Sequence, residues 1–244
     1  MAYALGLPRA LARRGLIVEL VLGWETRSAG TSNPGGAVSH WTAGPRTGDR
    51  PSLHVCTYGR PGLAGPLCNV FLTRAGVAVV VAAGRANHAG VGSWRGLVGN
   101  SSMFGTEAEN SGSGEWTAAQ RVAYPKVNAA YLDLIGARTA DNICGHHEWA
   151  PTRKIDPRDW PMSAMRAQVA AILNSTIQST QQEDHMDDAT IKEIARQAGV
   201  EGATQTWNRF TVTDPDGKEL KLAEALETIL RGIRDLNPPD QPPA

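Results

Sequence analysis

Short apolar segments separated by polar or glycine-rich stretches recur along the first 173 residues of the chain. Five of them have the length and composition of strands: Leu16–Leu22, Ala37–Ser39, Asn69–Leu72, Val77–Ala82 and Met103–Ala108. The third and fourth flank Arg74-Ala75-Gly76, and the glycine at this turn predicts a hairpin. The pattern therefore predicts a sheet that includes an antiparallel pair.

Three longer segments have helical periodicity: Leu7–Arg14, Thr117–Leu134 and Met162–Leu173. Thr117 is a suitable N-cap for the second helix, in which Pro125 is expected to cause a kink or a break. The glycine-rich stretch Gly84–Asn100 and the polar stretch Cys144–Pro157 predict long loops. Strands and helices mixed in this order predict one α/β domain over residues 1–173.

The composition changes after Leu173. Residues 174–188 are polar and acidic and are predicted to form a linker. We predict that residues 189–236 form a small α+β appendage and that residues 237–244 form a disordered tail. The predicted elements of the appendage are a helix over Ala189–Ala198, a hairpin around Asp214–Gly217 and an amphipathic helix over Leu222–Leu236. A region of about 55 residues is too small to be very stable alone, so docking, ligand binding and self-association are all open roles.

The charges of the chain are unevenly distributed. In total 24 Lys and Arg balance 24 Asp and Glu, and this zero net charge argues against a strongly basic nucleic-acid binder. However, residues 1–173 carry 17 cationic and 11 acidic residues, a net charge of +6, and residues 174–244 carry −6. No basic helix or aromatic–basic platform accompanies these cations, so we expect an anionic partner other than nucleic acid.

The sequence also predicts the cellular compartment in which the protein is made. The longest apolar runs, Leu16–Leu22 and Val77–Ala83, fall far short of the roughly 20 residues that span a bilayer, so no membrane insertion is expected. The N-terminus has no small-residue cleavage site, which predicts synthesis in a cytoplasm without a signal peptide. Cys56, Cys68 and Cys144 cannot all pair, so reduced buried thiols are expected, and no local pattern supports a cysteine peptidase.

Histidines supply the candidate chemistry. Five of the six lie in loops or at strand ends: His40, His54, His88, His146 and His147. The stretch Gly145–Pro157 combines His146 with Lys154 and Asp156. A hydrolytic zinc needs three protein ligands, usually histidines with one carboxylate, and one open position for water. Two histidines from distant segments and one carboxylate meet this requirement.

Six stretches of the domain form a recognisable set: GWETR, SHWTAG, GRPGLAGPL, AAGRANHAG, GNSSMFGTEAEN and GHHEWAPTRKIDP. With this set the chain resembles the zinc-dependent N-acetylmuramoyl-L-alanine amidases of the type shared with peptidoglycan recognition proteins. The resemblance covers about residues 5–173 and is closest to the amidase domains of endolysins from phages of mycobacteria and other actinobacteria. It implies a mixed central β-sheet flanked by helices, with a zinc site in a surface groove.

The resemblance also implies the site residues. The zinc ligands would be His40, His146 and Asp156. His146 rather than His147 follows the family's glycine and lies ten residues before the aspartate. Glu107 matches the general base, and Lys154 matches the basic residue that stabilises the oxyanion. These roles are chemically consistent, because zinc acidifies water and polarises a carbonyl while a carboxylate carries the proton to the departing amine.

Five further residues are candidates for substrate binding: Asn87, His88, Trp41, Trp94 and His54. The two histidines either line the groove or support a zinc ligand through a hydrogen bond. The two tryptophans either stack on sugar or peptide or simply pack in the core. Glu109, two residues from Glu107, is the alternative candidate for the general base. Otherwise its carboxylate is solvated or supports the site indirectly.

The implied reaction is hydrolysis of the amide between N-acetylmuramic acid and L-alanine of peptidoglycan by a zinc-activated water. We expect a phage endolysin, made in the host cytoplasm, that reaches the cell wall through membrane lesions made by another phage protein. A cytosolic muropeptide-recycling amidase and a non-catalytic peptidoglycan-binding protein are the alternatives. For the C-terminal region, wall binding and homo-oligomerisation through its last helix both stay open.

Overall fold

The computed structural model describes residues 3–113, 115–183, 211–213 and 219–221. The helices in this part of the chain are α1 (Leu7–Arg13), α2 (Leu53–Tyr58), α3 (Ala118–Leu134), α4 (His146–Trp149) and α5 (Met162–Glu183). The strands are β1 (Val18–Leu20), β2 (Gly36–Trp41), β3 (Gly59–Arg60), β4 (Leu63–Ala64), β5 (Val70–Leu72), β6 (Ala78–Val80), β7 (Ser93–Trp94), β8 (Leu97–Val98), β9 (Met103–Ala108), β10 (Ile143–Gly145), β11 (Thr211–Thr213) and β12 (Glu219–Lys221). The chain separates into two compact units, Met1–Gln178 and Ser179–Ala244.

Six strands form one mixed sheet in the order β1-β6-β5-β9-β2-β10. Each neighbouring pair is parallel except β5 and β6, which are antiparallel and form the predicted hairpin. Gly76 at its turn has a φ of +80°, a conformation that glycine adopts without steric cost. The predicted α/β fold with a mixed central sheet and flanking helices is confirmed.

Alternate residues of β2 pack against the two faces of this sheet. Ala37 belongs to the large core that also contains residues of α1, α3 and α5. Val38 belongs to a second cluster with Trp149 of α4. His40 lies two residues beyond Val38 in the same strand and therefore points to this second face, which α2 also covers through Cys56.

Helix α3 begins as its sequence predicts. The Thr117 hydroxyl accepts a hydrogen bond from the Gln120 amide at 3.0 Å, and the Gln120 side chain accepts one from the Thr117 amide at 3.3 Å, forming a capping box. The helix then continues through Pro125, so the expected break is wrong. Pro125 is buried between the fully buried Tyr124 and Val127, and core packing on both sides outweighs its missing hydrogen bond.

Several short elements lie where loops were predicted. The glycine-rich stretch contains the hairpin of β7 and β8, and the polar stretch Cys144–Pro157 contains the end of β10 and helix α4. Helix α2 was not predicted, because it depends on a distant residue: the Glu109 carboxylate accepts hydrogen bonds from the Ser52 amide and hydroxyl at 2.8 and 2.9 Å. Such contacts leave no periodic pattern in the local sequence.

The described part of the C-terminal region is small. Helix α5 runs to Glu183, past the predicted end at Leu173, because Asn174–Glu183 contains neither glycine nor proline. Strands β11 and β12 pair in antiparallel fashion, which confirms the hairpin predicted around Asp214–Gly217. The helices predicted over Ala189–Ala198 and Leu222–Leu236 and the predicted tail lie outside the described residues. None of the described helices combines the length and apolar character needed to cross a membrane.

Candidate active site

The candidate active site lies where three parallel strands end. His40 near the end of β2 is the register partner of Glu107 near the end of β9. His146 follows directly after β10, whose last residue Gly145 pairs with Ser39. The carboxyl ends of parallel strands meet at one edge of a sheet, and this edge is a frequent location for ligand sites.

Three buried side chains converge at this edge. His40 Nδ1 lies 2.8 Å from His146 Nδ1 and 3.3 Å from Asp156 Oδ2, and His146 Nδ1 lies 3.1 Å from the same carboxylate oxygen. One ligand atom from each residue lies within 4.8 Å of the other two, so the three residues could hold a metal ion. The structure thus brings together the three zinc ligands that the resemblance implied.

The outer nitrogens of these histidines determine which atoms face the cluster. His146 Nε2 lies 3.0 Å from the Ala89 carbonyl oxygen, and a carbonyl only accepts, so Nε2 carries the hydrogen. His88 Nε2 likewise donates to the Met103 carbonyl at 3.2 Å. His88 Nδ1 is then an acceptor, and it takes a hydrogen bond from His40 Nε2 at 3.0 Å.

This arrangement leaves Nδ1 of His40 and Nδ1 of His146 without hydrogens, facing each other and a carboxylate. Two lone pairs 2.8 Å apart beside an anionic oxygen repel one another unless a cation lies between them. Histidine ligands of zinc characteristically donate their other N–H to a carbonyl or similar acceptor, as His146 does here. The donor set and its hydrogen bonds therefore fit a metal ion such as zinc.

The protonation states agree with this interpretation. Burial lowers the pKa of His40 to about 4, with the neighbouring His146 as a further cause. Burial acts to raise the pKa of Asp156, but its close contact with the imidazoles of His146 and His40 outweighs burial and holds the pKa below its ordinary value. At neutral pH the pair therefore offers a neutral imidazole and an ionised carboxylate, the forms in which these groups bind metals.

Glu107 is half-buried beside this cluster, and its carboxyl oxygen Oε2 is inaccessible to solvent. Burial raises its pKa well above the ordinary value, and Cys56 and Asp156 act in the same direction. Its Oε2 atom has no hydrogen-bond partner within the described part of the protein. A carboxyl group with a raised pKa and a free oxygen is suited to take up and release a proton during a reaction.

A groove of about 520 Å³ gives access to the cluster. Together with His146 and Asp156, it is lined by five of the residues predicted to act in catalysis or substrate binding: Trp41, Asn87, His88, Glu107 and Lys154. Lys154 is partly exposed, and its amide donates to the Ala150 carbonyl at 3.0 Å. The groove therefore places two cationic side chains, Lys154 and Arg153, and the Glu107 carboxyl group beside the metal-ligating atoms.

Two predicted substrate-binding residues do not reach this groove. Trp94 donates through Nε1 to the Asp141 carbonyl at 2.7 Å, and the Arg166 guanidinium lies 5.5 Å from its ring. His54 is exposed on α2, with its ring 4.9 Å from that of Tyr58. Neither side chain lines the groove, so their roles as substrate contacts lack support from the geometry.

Three other predicted residues have contacts that define their roles more closely. Trp41 lines the groove but is only 8% exposed, because its ring stacks on Trp116 at 6.5 Å. His147 does not join the cluster, since its Nδ1 faces the Asp156 carbonyl at 3.0 Å. Glu109 is fully buried and anchors the loop before α2, so it supports the fold and does not itself line the groove.

Sequence reasoning missed the residues that hold the ligands in place. The Tyr124 hydroxyl accepts from the His40 amide at 2.7 Å and lies 2.8 Å from the His40 carbonyl and 3.0 Å from the Thr106 carbonyl. The side-chain oxygen Oδ1 of Asn100 accepts from the backbone amides of Ala89 and Gly90 at 2.8 and 3.0 Å. Of these residues, only Tyr124 could have been predicted, because it lies in the predicted helix on the face that packs against the sheet.

Comparison with known proteins agrees with this geometry. The family model of N-acetylmuramoyl-L-alanine amidases described as Amidase_2 matches residues 30–159, more than half of the chain. No match was found among curated proteins.

Three solved structures illustrate the similarity in fold. A selenomethionyl derivative of AmpD is 26% identical with a TM-score of 0.49, covering 62% of this chain and 94% of its own. The amidase AmiD from E. coli, in complex with anhydro-N-acetylmuramic acid-L-Ala-D-gamma-Glu-L-Lys, is 21% identical with a TM-score of 0.45, covering 59% and 61%. The endolysin LysCS from Clostridium intestinale is 17% identical with a TM-score of 0.45, covering 62% and 94%. On the family match, the chain belongs to the N-acetylmuramoyl-L-alanine amidases of the Amidase_2 family.

Proposed function

We propose that the protein is a zinc-dependent phage endolysin that cleaves the amide between N-acetylmuramic acid and L-alanine in the host cell wall. The observation that carries the zinc requirement is the close approach of the Nδ1 atoms of His40 and His146, 2.8 Å apart, with the Asp156 carboxylate beside them. Bound by these three residues, zinc supplies Lewis-acid polarisation of the amide carbonyl and makes water acidic enough to react near neutral pH.

The remaining steps belong to side chains of the groove. The ionised Glu107 carboxylate accepts the proton of the attacking water and then delivers it to the departing L-alanine nitrogen. Its raised pKa makes the ionised carboxylate a stronger base for the first transfer. Lys154 places an ammonium group where negative charge develops on the carbonyl oxygen. Asn87 lines the same groove and contacts the sugar or the stem peptide in this proposal, whereas Trp41, stacked on Trp116, forms part of the groove wall.

Zinc removal tests the proposed chemistry. We expect treatment with EDTA to abolish the release of wall fragments, and stoichiometric zinc to restore it. Mass spectrometry of the digested wall then identifies the bond that is cut, because amidase cleavage leaves intact lactyl-muramic acid and a free L-alanine amino end. Full activity of the zinc-free protein, or new ends at any other bond, would overturn the proposal.

The endolysin role is supported by the charge of the amidase domain. Residues 1–173 carry a net charge of +6, which favours association with an anionic wall polymer. We propose that the protein is made in the host cytoplasm and acts on the wall after another phage protein opens the membrane. A higher rate on intact sacculi than on soluble muropeptides is expected. The reverse preference would indicate a recycling amidase.

A further inference from the structure

We propose that His88 is a positioning residue, which holds His40 in the tautomer that presents Nδ1 to the metal. The inference rests on the proposed function in one respect only, that the cluster of His40, His146 and Asp156 binds a metal ion. It assigns His88 to the support of a ligand, whereas the sequence left open whether this residue contacts substrate.

The hydrogen bonds of His88 fix the direction of the contact with His40. His88 Nε2 donates to the Met103 carbonyl, which belongs to strand β9 and cannot itself donate. His88 Nδ1 is consequently unprotonated and accepts from His40 Nε2 at 3.0 Å. With its hydrogen on Nε2, the His40 imidazole has its lone pair on Nδ1, the atom that faces His146 and Asp156.

The strand beneath His88 is shaped to receive its ring. A β-carbon on Gly105 would lie 2.4 Å from Cγ of His88, which is closer than real β-carbons approach other atoms. Glycine at this position of β9 therefore leaves the space that the imidazole occupies. His88 is only 8% exposed, so most of its surface is packed and unavailable to substrate.

Ala89, the residue after His88, contacts the outer nitrogen of the second histidine, His146, through its backbone carbonyl. The Ala89 carbonyl accepts from His146 Nε2 at 3.0 Å, so one dipeptide contacts the outer nitrogens of both histidine ligands. Asn100 fixes this dipeptide through the amides of Ala89 and Gly90, and the Arg153 guanidinium donates to the Ala89 carbonyl at 2.9 Å. The segment His88–Gly90 is thus held by Asn100 and Arg153, and neither of these residues is a proposed metal ligand.

Removing the hydrogen-bond acceptor Nδ1 of His88 would affect the His40 side chain in one of two ways. His40 Nε2–H would be buried without a partner, or the imidazole would change tautomer and lose the Nδ1 lone pair. Outer residues of this kind typically contribute about 10- to 100-fold to metal affinity. We therefore expect His88→Phe, which keeps the ring and removes the acceptor, to weaken zinc binding by about that factor.

The experiment is a competition titration of the full chain with a chromophoric zinc chelator. His88→Asn keeps an acceptor oxygen near the position of Nδ1, so we expect it to recover most of the affinity lost in His88→Phe. His54→Phe, on the exposed side of α2, is the matched control and should bind zinc like the parent protein. Circular dichroism reports whether each variant is folded.

Nitrogen-15 NMR of the zinc-loaded parent protein provides a second measurement that needs no variant. We expect His40 to show a metal-bound Nδ1 and a protonated Nε2, and His88 to show a protonated Nε2 and an unprotonated Nδ1. Zinc bound through Nε2 of His40, or unchanged affinity in a folded His88→Phe protein, would overturn the inference. Failure of the parent protein to bind zinc at all would instead overturn the proposed function.

Discussion

At the scale of single residues, two glutamates in one strand region have opposite relations to the fold. Glu107 is half-buried, its Oε2 is inaccessible and unpaired, and burial raises its pKa, so its ionised form destabilises the folded state. Glu109 is fully buried but accepts hydrogen bonds from Thr42 and Ser52. Glu107 is therefore suited to proton transfer, and Glu109 stabilises the loop before α2.

Glu107→Gln should therefore stabilise the metal-free protein while abolishing its activity. The folded carboxyl keeps its proton above the pH at which the unfolded one ionises, so the stability of the parent falls as pH rises from about 4.5 through the raised pKa. At pH 7 we expect the variant's Tm to be higher by at least about 2 °C. The difference should vanish near pH 4, and turnover should fall by about 10²- to 10⁴-fold.

Glu109→Gln is the matched control for that experiment. Its amide would oppose donors that now meet a carboxylate, so the variant should lose about 1–3 kcal/mol of stability at pH 7. Thermal unfolding of the three metal-free proteins at pH 4 and pH 7 provides the comparison. Equal destabilisation by both substitutions would contradict the distinction between the two glutamates.

Lys154→Met should reduce turnover without changing zinc affinity. Removing one charged donor to a developing oxyanion typically costs about 10²- to 10³-fold in kcat. Arg158→Met, an exposed cation four residues away, serves as the control and should retain parental turnover. Steady-state kinetics on soluble muropeptide and a zinc titration separate the two effects. A Lys154→Met protein with parental kcat would remove this residue from the mechanism.

At the scale of elements, prediction succeeded where local sequence determines the structure. Helix α3 begins at the capping box that Thr117 and Gln120 encode, and the β5–β6 hairpin turns at Gly76. Helix α2 and the outer contacts of the metal site escaped prediction because they join segments far apart in the chain. The motif set indicated the three residues that could hold a metal ion, but no sequence pattern indicated the Ala89 carbonyl or Asn100.

Thr117→Ala should measure the contribution of the capping box to α3. The variant loses the hydroxyl that accepts from the Gln120 amide, and such losses cost about 0.5–2 kcal/mol. Thr117→Ser keeps the acceptor and should remain close to the parent protein. Urea unfolding of both variants tests this, and a Thr117→Ala protein with unchanged stability would show that core packing alone holds the helix start.

At the scale of the whole molecule, charge separates along the chain. Residues 1–183 carry 17 cationic and 12 acidic residues, and residues 184–244 carry 7 and 12, so the net charges are +5 and −5. A truncation after Glu183 keeps all of helix α5 and removes only the acidic part. Its net positive charge should attract anionic wall polymers more strongly than the neutral full chain does.

We therefore expect the truncated protein to sediment with purified walls more strongly than the full chain at about 10 mM salt, where the Debye length is about 30 Å. The difference should diminish at about 1 M salt, where that length is about 3 Å. Circular dichroism must first show that the truncated chain is folded. Weaker binding of the truncated protein at low salt would mean that residues 184–244 themselves attach to the wall.

The facing Nδ1 atoms of His40 and His146 also have a thermodynamic meaning. Their site exists only in the folded chain, since its residues come from segments 116 positions apart. An ion bound there acts as a folding ligand, and free zinc at about 1,000 times its Kd adds about 4 kcal/mol to the free energy of unfolding. The lifetime of the enzyme against proteases would then depend on the supply of zinc around it.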